Sequence, residues 1–158
     1  VTAVYRFMYY RTGDEMVAED LTSLVFVHVL RGIHRYEIRG VPFRAWLFRI
    51  ARARLADYYR KTERQEKGQS SLKEIREATK STRASLEDRF QYENLRHALE
   101  YLTPAEMEAV LLRYVGDLTN REVAAIIDSN GNAVKSKIRR ALKKMRRVIE
   151  SIEDFEPC

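Results

Sequence analysis

The glycines cut this chain into helix-length pieces. There are only six, at positions 13, 32, 40, 68, 116 and 131, with three prolines in 158 residues, where average usage would give roughly 19 of the two together. Each glycine falls where hydrophobic periodicity breaks, and the segments between breaks predict helices over 3–12, 15–31, 42–61, 86–101, 104–115, 119–128 and 132–149. The same deficit disfavours a turn-dense β-sandwich or barrel, so the expected fold class is all-α. Thr103-Pro104-Ala105-Glu106 and Thr119-Asn120-Arg121-Glu122 match the S/T-x-x-E capping box, whose side chains satisfy orphan N–H groups reciprocally. Ser85 followed by Asp88 is a weaker version. Pro104 and Pro42 fall at first helical positions, where a missing N–H does no harm.

Between Lys61 and Ala84 the only large apolar residues are Leu72 and Ile75. Such a stretch buries little surface and reads as a tether, with a transient helix at Leu72–Thr79. The expected organisation is a domain over 1–61, a flexible linker over 62–85, a second domain over 86–150 and an acidic tail over 151–158. That tail either frays or covers a basic helix. A hydrophobic fraction of 45% is ordinary for a globular protein. No apolar run approaches the roughly 20 residues of a membrane span, and no signal-peptide pattern is present, so membrane insertion is not expected. The one cysteine, Cys158, leaves no intrachain pair and points to a reducing compartment, hence a cytoplasmic chain.

Charge is segregated. The balance of 29 Lys and Arg against 23 Asp and Glu gives +6, which favours a polyanionic partner. Asp14–Val29 holds four acids and no base, whereas Gly131–Ile149 holds eight bases and no acid. Glu122–Ile127, the break Asp128-Ser129-Asn130-Gly131 and then Asn132–Met145 of the basic segment have helix-turn-helix spacing. At 100° per residue, Val134, Ile138, Ala141, Leu142, Met145, Val148 and Ile149 share one arc of about 120°. Lys135, Ser136, Arg139, Arg140, Lys143, Arg146 and Arg147 lie opposite. In a major groove the N-terminal part of such a helix meets base edges and later bases grip phosphates. Asn132, Lys135, Ser136 and Arg139 are then candidate readers, and Arg140, Lys143 and Arg147 candidate phosphate contacts. A solvated basic helix without a target is the bland alternative. Small Ala124 and Ala125 in the preceding helix and the acid-free run favour DNA.

Two N-terminal segments are informative. In Val41–Arg60, Phe43, Leu47, Ile50, Ala51 and Tyr58 form the expected core stripe; Arg49, Arg52, Ala56 and Arg60 lie on the far side, with Trp46 and Ala53 at the edge. Phe48, Leu55 and Tyr59 make a further strip between them. Arginines interleaved with flat rings suit unpaired nucleic acid, since guanidinium groups hold the backbone and rings accept unstacked bases. Aromatics at helical spacing serve a core equally well. Arg54 either snorkels or pairs with Asp57 or Asp20. In Glu15–Arg31, Val17, Leu21, Leu24 and His28 can face the home core, leaving Phe26, Val27 and Leu30 partly surplus beside Glu19, Asp20 and Ser23. That surplus suits a protein partner or a second core helix.

The two ends together resemble a known family. AEDLTSLVFVHVL followed by FRAWLFRIARARLADYYR is similar to the second region of sigma-70-family factors of the extracytoplasmic-function (ECF, group four) type. LRHALEYLTPAEMEAVLLRYVGDLTNREVAAIIDSNGNAVKSKIRRALKKMR is similar to their fourth region. The resemblance covers about residues 4–61 and 86–149, in the family's order. It implies an alternative sigma factor that binds core RNA polymerase, recognises −10 and −35 promoter elements and takes part in strand opening. It places Glu19, Asp20 and Phe26 on the polymerase clamp, and the helices from Leu95 to Leu112 on the flap. The loop Tyr36–Val41, with Tyr36 and Arg39, would capture a −10 base, and Trp46, Arg49, Arg52 and Arg60 would border the melted strand. The Asn132–Arg140 stretch would read the −35 duplex. Family members often carry Asn after I-A-R, where this chain has Ala53. An anti-sigma factor is a further partner that the resemblance implies.

Catalysis is not expected. The histidines at 28, 34 and 97 lack a second donor at ligand spacing, so neither a metal nor another cofactor is called for. No G-x-S-x-G or phosphate-cradling glycine loop occurs. The rival reading is a self-sufficient helix-turn-helix regulator that binds its operator as a dimer.

Overall fold

The computed structural model describes residues 1–38, 40–67 and 86–154, without the side chains of 86–91. Its helices are α1 (Thr2–Thr12), α2 (Glu15–Gly32), α3 (Phe43–Glu66), α4 (Leu86–Glu100), α5 (Pro104–Val110), α6 (Asn120–Ile126) and α7 (Gly131–Asp154). A short 3₁₀ turn (Ile33–Arg35) follows α2, and a π turn (Leu111–Val115) continues α5. No strand occurs among the described residues. Arg39, the Ser85 cap, the helix expected at Leu72–Thr79 and Cys158 lie outside the described residues.

Helices α1–α3 pack into a first unit. Its centre is Phe7 against Phe48, ring centroids 5.6 Å apart and edge-on, surrounded by Val4, Met8, Ala18, Val25 and Ala51. Burial of these apolar groups is what holds short helices in place, since their intrinsic propensity alone leaves them marginal. The stripe of α3 is rotated from expectation. Ala45, Phe48, Ala51 and Leu55 are buried, whereas Leu47, Ile50 and Tyr58 are half-buried and Phe43 is exposed. The in-between strip Phe48 and Leu55 is therefore the core face, because α3 packs on two sides, against α1–α2 and against the second unit. Likewise α2 buries Ala18, Leu21, Thr22, Val25 and Val29, and leaves Leu24 exposed. One residue of rotation separates the expected from the observed face.

Helices α4–α7 form the second unit around Leu99, Ala109, Leu112, Leu118, Val123, Val134, Ile138 and Ala141. Thr103 starts α5 with the expected reciprocal box: the Glu106 amide donates to Thr103 Oγ1 at 3.2 Å and the Thr103 amide to Glu106 Oε2 at 3.1 Å. Thr119 caps α6 by accepting from the Glu122 amide at 3.2 Å. Leu142, expected on the apolar arc of α7, is exposed.

The helices run past the expected boundaries, α3 to Glu66 and α7 to Asp154, so the first linker residues and part of the acidic end are helical. The two units also touch. Their buried side chains join into one apolar cluster, and α1 and α3 pack against the π turn and α6. Two helical domains are present, and in this structure they are closed on one another.

Candidate nucleic-acid interface

The turn before α7 is built by short polar residues. Asp128 takes a left-handed conformation (φ 56°) that reverses the chain. The Ser129 amide donates to the Ala124 carbonyl at 2.8 Å, and Asn130 Oδ1 accepts from the Ala133 amide at 2.9 Å, starting α7 one residue before the expected Asn132. With Val134, Ile138, Ala141 and Met145 buried, the opposite face is fixed outward. Asn132, Lys135, Ser136, Arg139, Arg140, Lys143 and Arg147 are all exposed on it. The charge density of that stretch is lower than its composition suggests at one point. Lys144 turns inward and pairs with Glu106.

In the first unit, Tyr36, Phe43 and Trp46 form an aromatic cluster with centroids 5.0–5.7 Å apart. The Tyr36 hydroxyl donates to the Val41 carbonyl at 2.8 Å and so closes the 36–41 loop. Trp46 is half-buried, with Gly32 close behind its indole. One ring edge is thus packed, while Ile38 is 88% exposed.

The arginines of α3 divide. Arg49 is exposed, without an ion-pair or hydrogen-bond partner among the described residues. Arg60 pairs with Asp57, which Arg54 also holds at 3.0 Å. Arg54 therefore pairs with Asp57, not Asp20, and also donates to His28 Nε2 at 2.9 Å, while His28 Nδ1 lies 2.9 Å from the Leu24 carbonyl. The tautomer with its proton on Nδ1 satisfies both contacts. Arg52 reaches the second unit. Its Nε donates to the Glu108 carboxylate and its Nη1 to the Ile126 carbonyl at 3.2 Å.

Sequence reasoning missed this interface. Besides Arg52, Arg44 donates to the Gly116 carbonyl at 3.1 Å, Arg11 to the Pro104 carbonyl at 3.3 Å and Arg6 to the Tyr92 hydroxyl at 3.3 Å. Within the first unit the Tyr59 hydroxyl donates to the Arg11 carbonyl at 2.6 Å, and burial raises its pKa. Burial likewise pushes Tyr10, beside Tyr92, up to about 12. A surplus of arginines on α1 and α3 was the available signal, but periodicity does not say what accepts their hydrogen bonds.

On α2, Glu19 and Asp20 are exposed, with Met16, Leu24, Val27 and Leu30 exposed on the same helix. Phe26 is half-buried and packs against the core, so it contributes less to this outer face than its neighbours. No group of three or more His, Cys, Asp or Glu side chains poised for a metal occurs among the described residues. Among those residues no helix is long and apolar enough to cross a membrane.

Comparison with known proteins agrees with this arrangement. The Sigma-70 region 2 family model matches residues 1–65, and the Sigma-70 region 4 model matches residues 92–145. The ECF RNA polymerase sigma factor BldN of Streptomyces coelicolor is 33% identical over 92% of this chain and 56% of its own length. The chain thus spans little more than half of that relative. The ECF sigma factor SigX of Bacillus subtilis is 29% identical over 96% of this chain and 80% of its own. In fold, the chain is similar to the sigma factor RpoE of Bartonella quintana, solved with the anti-sigma factor NepR. That likeness has a TM-score of 0.76 at 22% identity, over 94% of this chain and 90% of the other. Both units, in this order, assign the chain to the sigma-70 family, among its ECF sigma factors.

Proposed function

We propose that the chain is an alternative sigma factor that joins core RNA polymerase in the cytoplasm and directs promoter recognition and strand opening. The observation that carries this reading is the outward face of α7, where seven polar and basic side chains are exposed on a helix that follows a tight capped turn. In the proposed arrangement Asn132, Lys135, Ser136 and Arg139 read −35 base edges, and Arg140, Lys143 and Arg147 hold phosphates. Tyr36 and Arg39 capture a −10 base, and Trp46, Arg49, Arg52 and Arg60 line the opened strand. Melting costs a few kcal/mol per unstacked step, which captured bases and backbone contacts offset. The outer face of α2, with Glu19, Asp20 and a contribution from Phe26, docks on the clamp, and α4–α5 meet the flap. No bond is made or broken by these residues; they position DNA for the polymerase. An anti-sigma factor is a further proposed partner, supported by the similarity to a sigma factor solved with NepR. Run-off transcription with core polymerase on a promoter library tests the reading. Transcripts from a defined promoter set that vanish without the chain are expected; promoter-independent output would overturn it.

A further inference from the structure

We propose that Glu108 occupies the place of a nucleic-acid phosphate in the cleft between the two domains, so that domain closure and capture of an unpaired strand exclude one another. The proposal rests on the reading of Arg49 and Arg52 as strand-facing residues. The cleft has a volume of about 440 Å³, and its lining includes Arg11, Arg49, Arg52, Tyr59, Glu108 and Ile126. Three guanidinium groups thus border a space that holds one carboxylate. Arg52 donates from Nε to a Glu108 carboxylate oxygen and from Nη1 to the Ile126 carbonyl, so separate N–H groups meet oxygens of two residues. The phosphate oxygens of a strand are acceptors of the same kind for a guanidinium. The Ile126 carbonyl lies at the end of α6, where the helix dipole adds partial negative charge.

The same polarity repeats along the interface. Arg6, Arg11, Arg44 and Arg52 of the first domain all donate, and a phenol, three carbonyls and a carboxylate of the second domain accept. The second domain therefore offers these arginines a row of oxygens, as a single strand would. Two features make the arrangement reversible. The Arg52 side chain is 43% exposed although Glu108 is only 16% exposed, so solvent and salt weaken the pair. Arg49 borders the same cleft unpaired among the described residues, a first foothold for an incoming phosphate. Once several phosphates bind, their combined contacts displace one carboxylate.

The test uses the full chain with one dye on each domain and reads energy transfer during titration with a short single-stranded DNA. Transfer falls as the strand binds if closure and capture compete. Glu108→Gln starts from lower transfer and binds the strand several-fold tighter, whereas Arg52→Ala also starts open but does not bind tighter. In the absence of DNA, raising salt opens the unsubstituted chain and changes Glu108→Gln less. Strand binding at unchanged transfer overturns the proposal, as does a Glu108→Gln chain with unaltered transfer and affinity. Inorganic triphosphate that opens the chain as well as the strand does would assign the cleft to small polyphosphates and overturn the strand assignment. If Glu108→Gln opens and tightens while run-off transcription fails on every promoter, the latch stands and the sigma-factor reading falls.

Discussion

Lys144 Nζ donates to both carboxylate oxygens of Glu106, at 3.0 and 2.8 Å, so one acid closes the cap of α5 and ties it to α7. The hydrogen bond from Lys144, and then that from the Thr103 amide, hold the Glu106 carboxyl below its ordinary 4.5 against the opposing effect of burial. A carboxyl whose folded value is depressed stabilises the fold above its ordinary value, and the contribution disappears as pH falls through the lower folded value. Thermal unfolding should therefore lose more stability on acidification below pH 4.5 in the unsubstituted chain than in Glu106→Gln. At neutral pH, Glu106→Ala should cost roughly 1–3 kcal/mol, from the cap and the orphaned Lys144 together. Equal acid sensitivity of the two chains would refute the assignment.

Tyr36, Phe43 and Trp46 hold one another, and the Tyr36 hydroxyl locks the loop they support. If that loop captures a base, Trp46→Ala should reduce strand opening while leaving duplex −35 binding unchanged. Loss of one base–aromatic stack is worth about 1–3 kcal/mol, or roughly 5- to 150-fold in open complex. Permanganate reactivity of unpaired thymines with core polymerase present reads this directly.

Much of this architecture is legible in sequence, and the parts that are not share a cause. Glycine placement and the Thr103 box locate the helix ends because they are local. The α7 faces, Leu142 excepted, are legible because that helix packs against α4, α5 and α6 of its own domain on one side and is exposed on the other. The stripe of α3 is misplaced because that helix is covered on two sides. Phe48 and Leu55, between the expected faces, become core, and Arg52 finds an acceptor 56 residues away. Periodicity finds a single apolar face; it cannot foresee a second unit closing over the other side. Asp128 is a similar case, since its left-handed backbone is set by the turn rather than by a glycine.

Gly116 has no room for a side chain. A Cβ there would lie 2.5 Å from the Leu112 carbonyl oxygen, which belongs to the π turn. The clash is with backbone, so relaxation must move the turn whose Gly116 carbonyl receives Arg44. Gly116→Ala should destabilise by about 1–3 kcal/mol and loosen domain contact, measured by chemical denaturation and inter-domain energy transfer. An unchanged denaturation midpoint would show that the turn relaxes freely.

Asp20 stands exposed on α2, on the helix that also exposes Leu30 to 72%. An apolar surface edged by acids needs a basic counterpart on its partner. Asp20→Lys should weaken binding to core polymerase at least several-fold, with steeper loss at low salt where charge matters most. The same chain should retain its duplex contact. Unchanged affinity for core, measured by competition against a labelled chain, would remove this face from the proposed docking surface.

Arg139 and Arg147 lie about two turns apart on the exposed face of α7, and the proposed docking gives them different tasks. In that docking Arg139, nearer the N-terminal part of the helix, meets a base edge, and Arg147, farther along, meets backbone. Arg139→Ala should cost about 1–3 kcal/mol on the preferred −35 sequence and less on altered ones, thereby relaxing preference at one position. Arg147→Ala should weaken binding to all duplexes by similar amounts and lower the salt slope by about one counterion. Measuring both variants on a duplex library across a salt series, with core polymerase present, distinguishes the roles. If Arg139→Ala loses affinity uniformly, the helix enters the groove in another register, and the readers must be sought among residues nearer Asn132.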